Sequence, residues 1–237
     1  MFTNSRITII SAHPDDLEMG MGQFLLSLLE PPRRNLISMC VVTDGGAGGF
    51  SEIRRKEQAA AVRLLQKRFP KTFLGLHPES YAFEDTELVP SKELISYLEK
   101  VASGSDVVFT HFHDDSHQDH RALGVCARPA CRHIRNVIFY QSYSAINFEP
   151  TLFFDFTKDE MEAGKLKLIL MHKSQVERYS GSNQDVMHDM YALAAYNGFL
   201  MKSAKRYAEG FVPWKMALNN GVFTSPPRAA KKSGHSK

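Results

Sequence analysis

"RITIISAHPDDLEMG", residues 6–20, opens as an apolar, β-branched run and closes as the head of a helix. Arg6–Ala12 reads as a strand, and Glu18–Leu29 repeats apolar residues at intervals of three and four. The strand is apolar at nearly every position, which suits a strand covered on both faces. Between the two stands a turn carrying His13, Pro14 and the adjacent carboxylates Asp15 and Asp16.

The same alternation recurs along the chain. Asn35–Thr43, Asp106–Phe112, Asn136–Ser142 and the shorter Thr72–Leu76 read as strands; Ser51–Phe69, Ser91–Ala102 and Asp119–Ile134 read as helices. Strands alternating with helices predict an α/β fold: a doubly wound, mostly parallel sheet with helices on both faces. From Lys158 onward the pattern reads as helical, so a helical C-terminal layer is expected over one domain, residues 1–220. The late aromatics Tyr191, Tyr196, Phe199 and Trp214 are expected in the core of that layer.

The chain has 237 residues, 43% apolar and 23% charged, with a net charge of +3. That charge belongs to the tail. Residues 221–237 hold Arg228, Lys231, Lys232 and Lys237 and no acid, and without them the balance turns slightly negative. A nucleic-acid-binding face is therefore not expected, and the tail reads as disordered. No apolar stretch has the length of a membrane span, and the N-terminus lacks a signal-peptide pattern, so a cytoplasmic protein is expected. Cys40, Cys126 and Cys131 fit neither a disulfide framework nor a cysteine zinc site, and buried thiols are expected.

In an open α/β sheet, ligands gather at the carboxyl ends of strands where the strand order reverses. Three polar clusters fall at such ends: His13–Glu18, Thr43–Gly49 and His111–His120. The last reads "THFHDDSHQDHRALG", residues 110–124, and holds His111, His113, His117 and His120 among Asp114, Asp115 and Asp119. His13 and Asp16, three apart on a turn, can face one point, and an imidazole from the later cluster would complete a His-Asp-His set. Three protein ligands and a vacant position is the arrangement of a catalytic zinc site. Two plainer readings compete: "HPDD" as a helix cap, and the histidine cluster as a solvated loop. The glycines of "MGMGQFL" (19–25) and "DGGAGGF" (44–50) miss the dinucleotide-binding spacing. They are read as sites of close packing (Gly20, Gly22) and as a loop at the rim (Gly45–Gly49). No G-x-S-x-G elbow is present.

The two clusters together resemble the PIG-L/LmbE-like deacetylase superfamily. Its A-H-P-D-D-x-E motif matches Ala12–Glu18, and its H-P-D-H motif matches His117-Gln118-Asp119-His120, with glutamine in place of proline. Arg54 and Glu57 match its R-x-x-E, "HKSQ" (172–175) its H-x-S-Q, and "YAEGF" (207–211) its closing element. The resemblance implies a Rossmann-like fold and N-deacetylation of N-acetylglucosamine-type amides with zinc or another divalent metal such as Fe2+. It implies His13, Asp16 and His120 as metal ligands, Asp15 as general base, and a protonated His117 at the oxyanion. Asp119 would orient a histidine ring, and Arg54 would contact substrate. Asp44-Gly45-Gly46 departs from a glutamate-glycine pattern common in relatives, so rim contacts that differ from theirs are expected. His111 is read as structural or, in exchange with His120, as a ligand; His172 as packing or hydrogen-bonding near the site.

The expected function is thus a metal-dependent deacetylase acting on a sugar or glycoconjugate. The alternatives are an amidase for another N-acyl substrate (aminoglycoside, glycopeptide or thiol conjugate) and a non-catalytic sugar- or metal-binding relative. Hexameric relatives make a homo-oligomer a further expectation.

Overall fold

The computed structural model describes residues 2–181 and 185–217; the basic segment 221–237 lies outside the described residues. The expected elements form in sequence: β1 (Arg6–Ser11), α1 (Asp16–Leu29), β2 (Leu36–Val41), α2 (Ser51–Arg68), β3 (Phe73–Leu76), α3 (Lys92–Ala102), β4 (Val107–His111), α4 (Gln118–Ala130) and β5 (Asn136–Tyr140). There follow β6 (Leu152–Phe156), α5 (Lys158–Ala163), α6 (Lys165–Ile169), α7 (Lys173–Gly181), α8 (Val186–Leu200) and β7 (Tyr207–Lys215). The sheet runs β3-β2-β1-β4-β5-β7-β6. The first five strands are parallel; β7 is antiparallel to both β5 and β6.

This is the doubly wound order. The chain builds outward from β1 in one direction, returns to β4 beside β1, and builds outward in the other. The reversal opens a crevice at the carboxyl ends of β1 and β4.

Side chains along each strand face opposite sides of the sheet. Ile7, Ile9, Ile37, Met39 and Phe109 meet Leu17, Leu25 and Leu28 of α1 and Val62 and Leu65 of α2. Ile10, Cys40, Val108 and Val137 meet Leu94, Leu98 and Val101 of α3 and Leu123 and Cys126 of α4. Each such aliphatic side chain contributes about 1.5–3 kcal/mol on full burial. Stability therefore resides in the middle of the sheet, and its carboxyl edge is free to collect charged groups. All three cysteines are buried and unbridged.

The C-terminal third departs from expectation. It is not purely helical, because β6 and β7 extend the sheet. The strand β7 is hard to read because "YAEGFVPWK" carries a glutamate, a glycine and a proline. Pro213 is tolerated because β6 pairs with β7 only as far as Phe211, leaving that side free of ladder partners. Tyr196 and Phe199 are exposed rather than buried, whereas Tyr191 and Trp214 are partly buried against the core.

Glu209 of β7 serves the core. Helix α1 is kinked at Met21 (φ −145°). Just past the kink, the Gln23 and Phe24 N–H groups donate to Glu209 at 3.0 and 2.7 Å. Lys165 Nζ donates to the same carboxylate at 2.9 Å, and both side chains are buried. Gly20 lies in the same stretch, where a Cβ would fall 2.4 Å from the Tyr140 ring, so the helix approaches the sheet closely only with glycine there.

Glu209→Ala would leave a buried ammonium and two helix donors without a partner. Urea denaturation is expected to show a loss of about 3–5 kcal/mol, with Glu209→Gln less costly because it keeps an acceptor. A loss below about 1 kcal/mol, the size of an ordinary hydrogen bond, would contradict this reading.

Candidate metal and catalytic site

The crevice is a cavity of about 540 Å³ bordered by His13, Asp15, Asp16, His117 and His120, with Arg54 at its side. The strand β1 ends at Ser11, and the chain turns sharply through His13–Asp15 before α1 begins. Asp15 occupies the left-handed region (φ 92°, ψ −29°) and its side chain makes no cap hydrogen bond. A non-glycine residue in that region costs about 1–3 kcal/mol. Neighbours hold it there: Gln58 Oε1 accepts the Asp15 N–H at 3.3 Å, and Arg54 donates to the Pro14 carbonyl at 2.7 Å. The Asp16 carboxylate turns back to accept the His13 N–H at 2.7 Å. Neither carboxylate caps the helix through its side chain, so the plain capping reading fails.

Donor atoms of three residues converge at the cavity wall. His13 Nδ1 lies 3.3 Å from Asp16 Oδ2, His120 Nε2 lies 3.3 Å from Asp16 Oδ1, and the two ring nitrogens are 3.2 Å apart. Ligands about 2.0–2.1 Å from a tetrahedral zinc lie about 3.3 Å from one another. The far side of each ring is held by acids. His13 Nε2 lies 2.9 Å from Asp85 Oδ1 and 3.1 Å from Asp119 Oδ2. His120 Nδ1 lies 3.2 Å from Asp115 Oδ2. Carboxylates there favour a proton on those nitrogens and leave the lone pairs of His13 Nδ1 and His120 Nε2 directed at one point. The donor set therefore suits a divalent cation.

The electrostatics agree. Burial works against charge on His13 and His120, but Asp16 and the acids behind the rings overcome it. His13 is held well above its ordinary value and His120 is pushed up to about 9. Burial also opposes the Asp16 carboxylate, yet the surrounding histidines hold it well below the carboxylate range. A field that retains protons on two buried rings also favours a cation between them. Asp15 behaves oppositely: burial pushes it up to about 6, with Arg54, 3.4 Å away, opposing and Asp16 adding to the rise.

His117 borders the cavity beside His13 and His120. Burial, then the positive charges of His120 and His13, hold it below its ordinary value. Its Nδ1 accepts the Asp119 N–H at 3.3 Å, which places the ring's single proton on Nε2. A neutral donor, not an imidazolium, is the form these surroundings favour.

His111 lies beside the same carboxylate, with Nε2 3.2 Å from Asp16 Oδ2, so Asp16, His111 and His120 form a second group whose donor atoms converge. Its Nε2 also accepts the Ala12 N–H at 3.0 Å, and burial pushes the ring down to about 4. It stacks on His120 with ring centroids 3.9 Å apart. His113 lies apart, near Arg128. His172 is buried with Nε2 3.5 Å from Glu18 Oε1.

Two participants had no distinguishing signal in the sequence. Asp85 comes from the connection after β3, and Asp115 is one of several acids in the histidine-rich loop. Asp115 accepts from Ser142 and Ser144 as well as facing His120. The glycine loop sits at the rim as expected, with Ala47 and Gly48 bordering the cavity. At Gly45 (φ 68°) a Cβ would fall 2.2 Å from Arg54 Nη1, so glycine there lets the guanidinium reach the Gly45 carbonyl at 2.9 Å.

Residues 8–131 match the family model described as PIG-L: GlcNAc-PI de-N-acetylase. The chain is 33% identical over 178 residues to the uncharacterized deacetylase YaiS of Escherichia coli K12, covering 71% of this chain and 90% of YaiS. Among solved structures it resembles the N,N'-diacetylchitobiose deacetylase of Pyrococcus horikoshii, with a TM-score of 0.69 and 24% identity over 88% of this chain and 83% of that one. It also resembles the zinc-inhibited form of the teicoplanin deacetylase Orf2, with a TM-score of 0.62 and 16% identity over 88% and 97% of the two chains.

Asp119→Asn removes a charge behind His13 and leaves the converging donors in place. It is expected to weaken binding of a divalent ion by about 10–100-fold in competition with a chelator. Unchanged affinity would show that Asp119 does not tune the His13 ring.

Proposed function

The chain belongs to the PIG-L family of deacetylases, and from that premise we propose that it hydrolyses the 2-acetamido group of an N-acetylglucosamine-type sugar or glycoconjugate, releasing acetate and a free amine. The observation that carries the reading is the His13–Asp16–His120 triangle with an uncapped, buried Asp15 beside it. Zinc, or another divalent ion such as Fe2+, held by His13, Asp16 and His120 would supply a Lewis acid that polarises the amide carbonyl and acidifies water.

The other roles follow from the side chains. Asp15 accepts a proton from the water that attacks the carbonyl carbon. Burial raises its basicity toward the neutral range, where a general base is most effective. The tetrahedral adduct carries its negative charge on the former carbonyl oxygen, and His117 Nε2–H donates to it as a neutral imidazole. The C–N bond then breaks, the proton held by Asp15 passes to the amine nitrogen, and acetate departs. Asp119 holds the His13 ring. Arg54 keeps the Asp15 turn in place and meets the substrate with donors its backbone partners leave over.

The sugar is supported by the family's description, by the diacetylchitobiose deacetylase, and by a cavity bordered by charged side chains and of a size that takes a small ligand. A second reading, the same hydrolysis on an acylated glycopeptide, draws on the likeness to the teicoplanin deacetylase. A purely binding role has no use for a strained, basic Asp15 at the cavity floor. The small-molecule substrate accords with the deacetylase neighbours, and no helix among the described residues is long and apolar enough to cross a membrane.

The test is amine release from a panel of N-acetylglucosaminides by metal-loaded enzyme, alongside metal content. Asp15→Ala is expected to retain the metal and lose rate by about 10²–10⁴-fold. Full activity in that variant would remove Asp15 from the mechanism, and turnover confined to glycopeptides would favour the second reading.

A further inference from the structure

The R-x-x-E and H-x-S-Q segments contribute Glu57 and residues 172–175, and none of the roles above uses Glu57, Ser174 or Gln175. The fold joins them. Glu57, on α2, accepts both the Ser174 N–H at 2.8 Å and the Ser174 hydroxyl at 2.7 Å. These bonds close the N-terminus of α7 with a carboxylate from a different helix, where the helix dipole also favours negative charge. The next residue, Gln175, donates through Nε2 to the Gly48 carbonyl at 3.3 Å, and one turn on Arg178 Nη1 donates to the same oxygen. Gln175, Arg178 and Tyr179 of α7 border the same cavity as Asp15.

Hydrogen bonds matter more than usual for this helix. Among Lys173–Ser180 the only side chain buried below the surface is that of Gln175; Val176 is partly buried, and no apolar residue is fully buried. Apolar burial therefore contributes little to its position, and charge-assisted bonds carry a correspondingly larger share of what holds it. The anchor is shared with the catalytic turn. Arg54, Glu57 and Gln58 stand at i, i+3 and i+4 on α2 and so share one face. Arg54 and Gln58 hold Pro14 and Asp15, while Glu57 holds Ser174.

We propose that Glu57 and Ser174 form a clasp that fixes α7 as a wall of the cavity, making them positioning residues for the part of the substrate that extends past the acetamido group. The proposal rests on the deacetylase reading for its substrate and on the α2–α7 geometry for its mechanism. Neither residue touches the reacting atoms. Loosening the clasp should change how well substrate is held and leave the chemistry at Asp15 and the metal ligands intact.

The test compares full-length wild type with Glu57→Gln, Ser174→Ala and Ser174→Thr, using hydrogen exchange of α7 amides and the kinetics of amine release. Glu57→Gln and Ser174→Ala are expected to speed α7 exchange by about tenfold, as loss of about 1.4 kcal/mol implies. They should raise KM by a similar factor, with kcat and metal content nearly unchanged. Ser174→Thr, which keeps both donors, should restore both readouts. Unchanged exchange in Glu57→Gln would overturn the clasp. Faster exchange with unchanged KM, or a fall in kcat alone, would overturn its role in holding substrate. No turnover by metal-loaded wild type would sink the deacetylase reading instead, and the exchange rates would still decide whether the clasp exists.

Discussion

Two imidazole nitrogens 3.2 Å apart, both facing the carboxylate of Asp16, are the constraint on which the rest of the site depends. Such an arrangement is costly unless positive charge sits among the three groups. It also requires two strands far apart in sequence to lie side by side. His13 follows β1 and His120 opens α4 after β4, and only the reversal of strand order between β1 and β4 brings them together. The acids behind the rings, Asp85 and Asp119 on one and Asp115 on the other, then set which nitrogens keep their protons.

The adjacent carboxylates of "HPDD" are separated by backbone geometry before they are separated by chemistry. Asp16 folds back toward its own turn and is surrounded by histidines, which keep it ionised. Asp15, in the left-handed region one residue earlier, projects to the opposite side, toward Arg54. Burial raises the one and imidazoles lower the other, so neighbouring residues of the same type acquire opposite acid–base character. The neutral form favoured for His117 belongs to the same balance. Burial and the positive charge gathered at His120 and His13 both work against a further positive charge on its ring.

Much of this was legible in the sequence because its signals are local. Continuous Ile, Val and Phe runs marked the five parallel strands, and the histidine and aspartate spacings marked the crevice. The missing parts depend on contacts between distant segments. Strand β7 hides behind Glu209 and Pro213, whose roles exist only once α1 is kinked and β6 stops short. Asp85 and Asp115 look like ordinary loop acids until His13 and His120 turn toward them. Tyr196 and Phe199 follow a helical apolar pattern as core residues would, yet that side of α8 faces outward. Glu57 and Ser174 stand in motifs visible in the sequence, but the bonds between them exist only because α2 and α7 meet.

The most direct measurement of the central claim is anomalous diffraction from crystals grown with zinc and collected at the zinc edge. The account predicts one strong peak bonded to His13 Nδ1, an Asp16 oxygen and His120 Nε2 at about 2.0–2.2 Å, with the Asp15 carboxylate outside bonding distance. A peak on His111, or between His13 Nε2, Asp85 and Asp119, or a zinc ion bonded to Asp15, would contradict it.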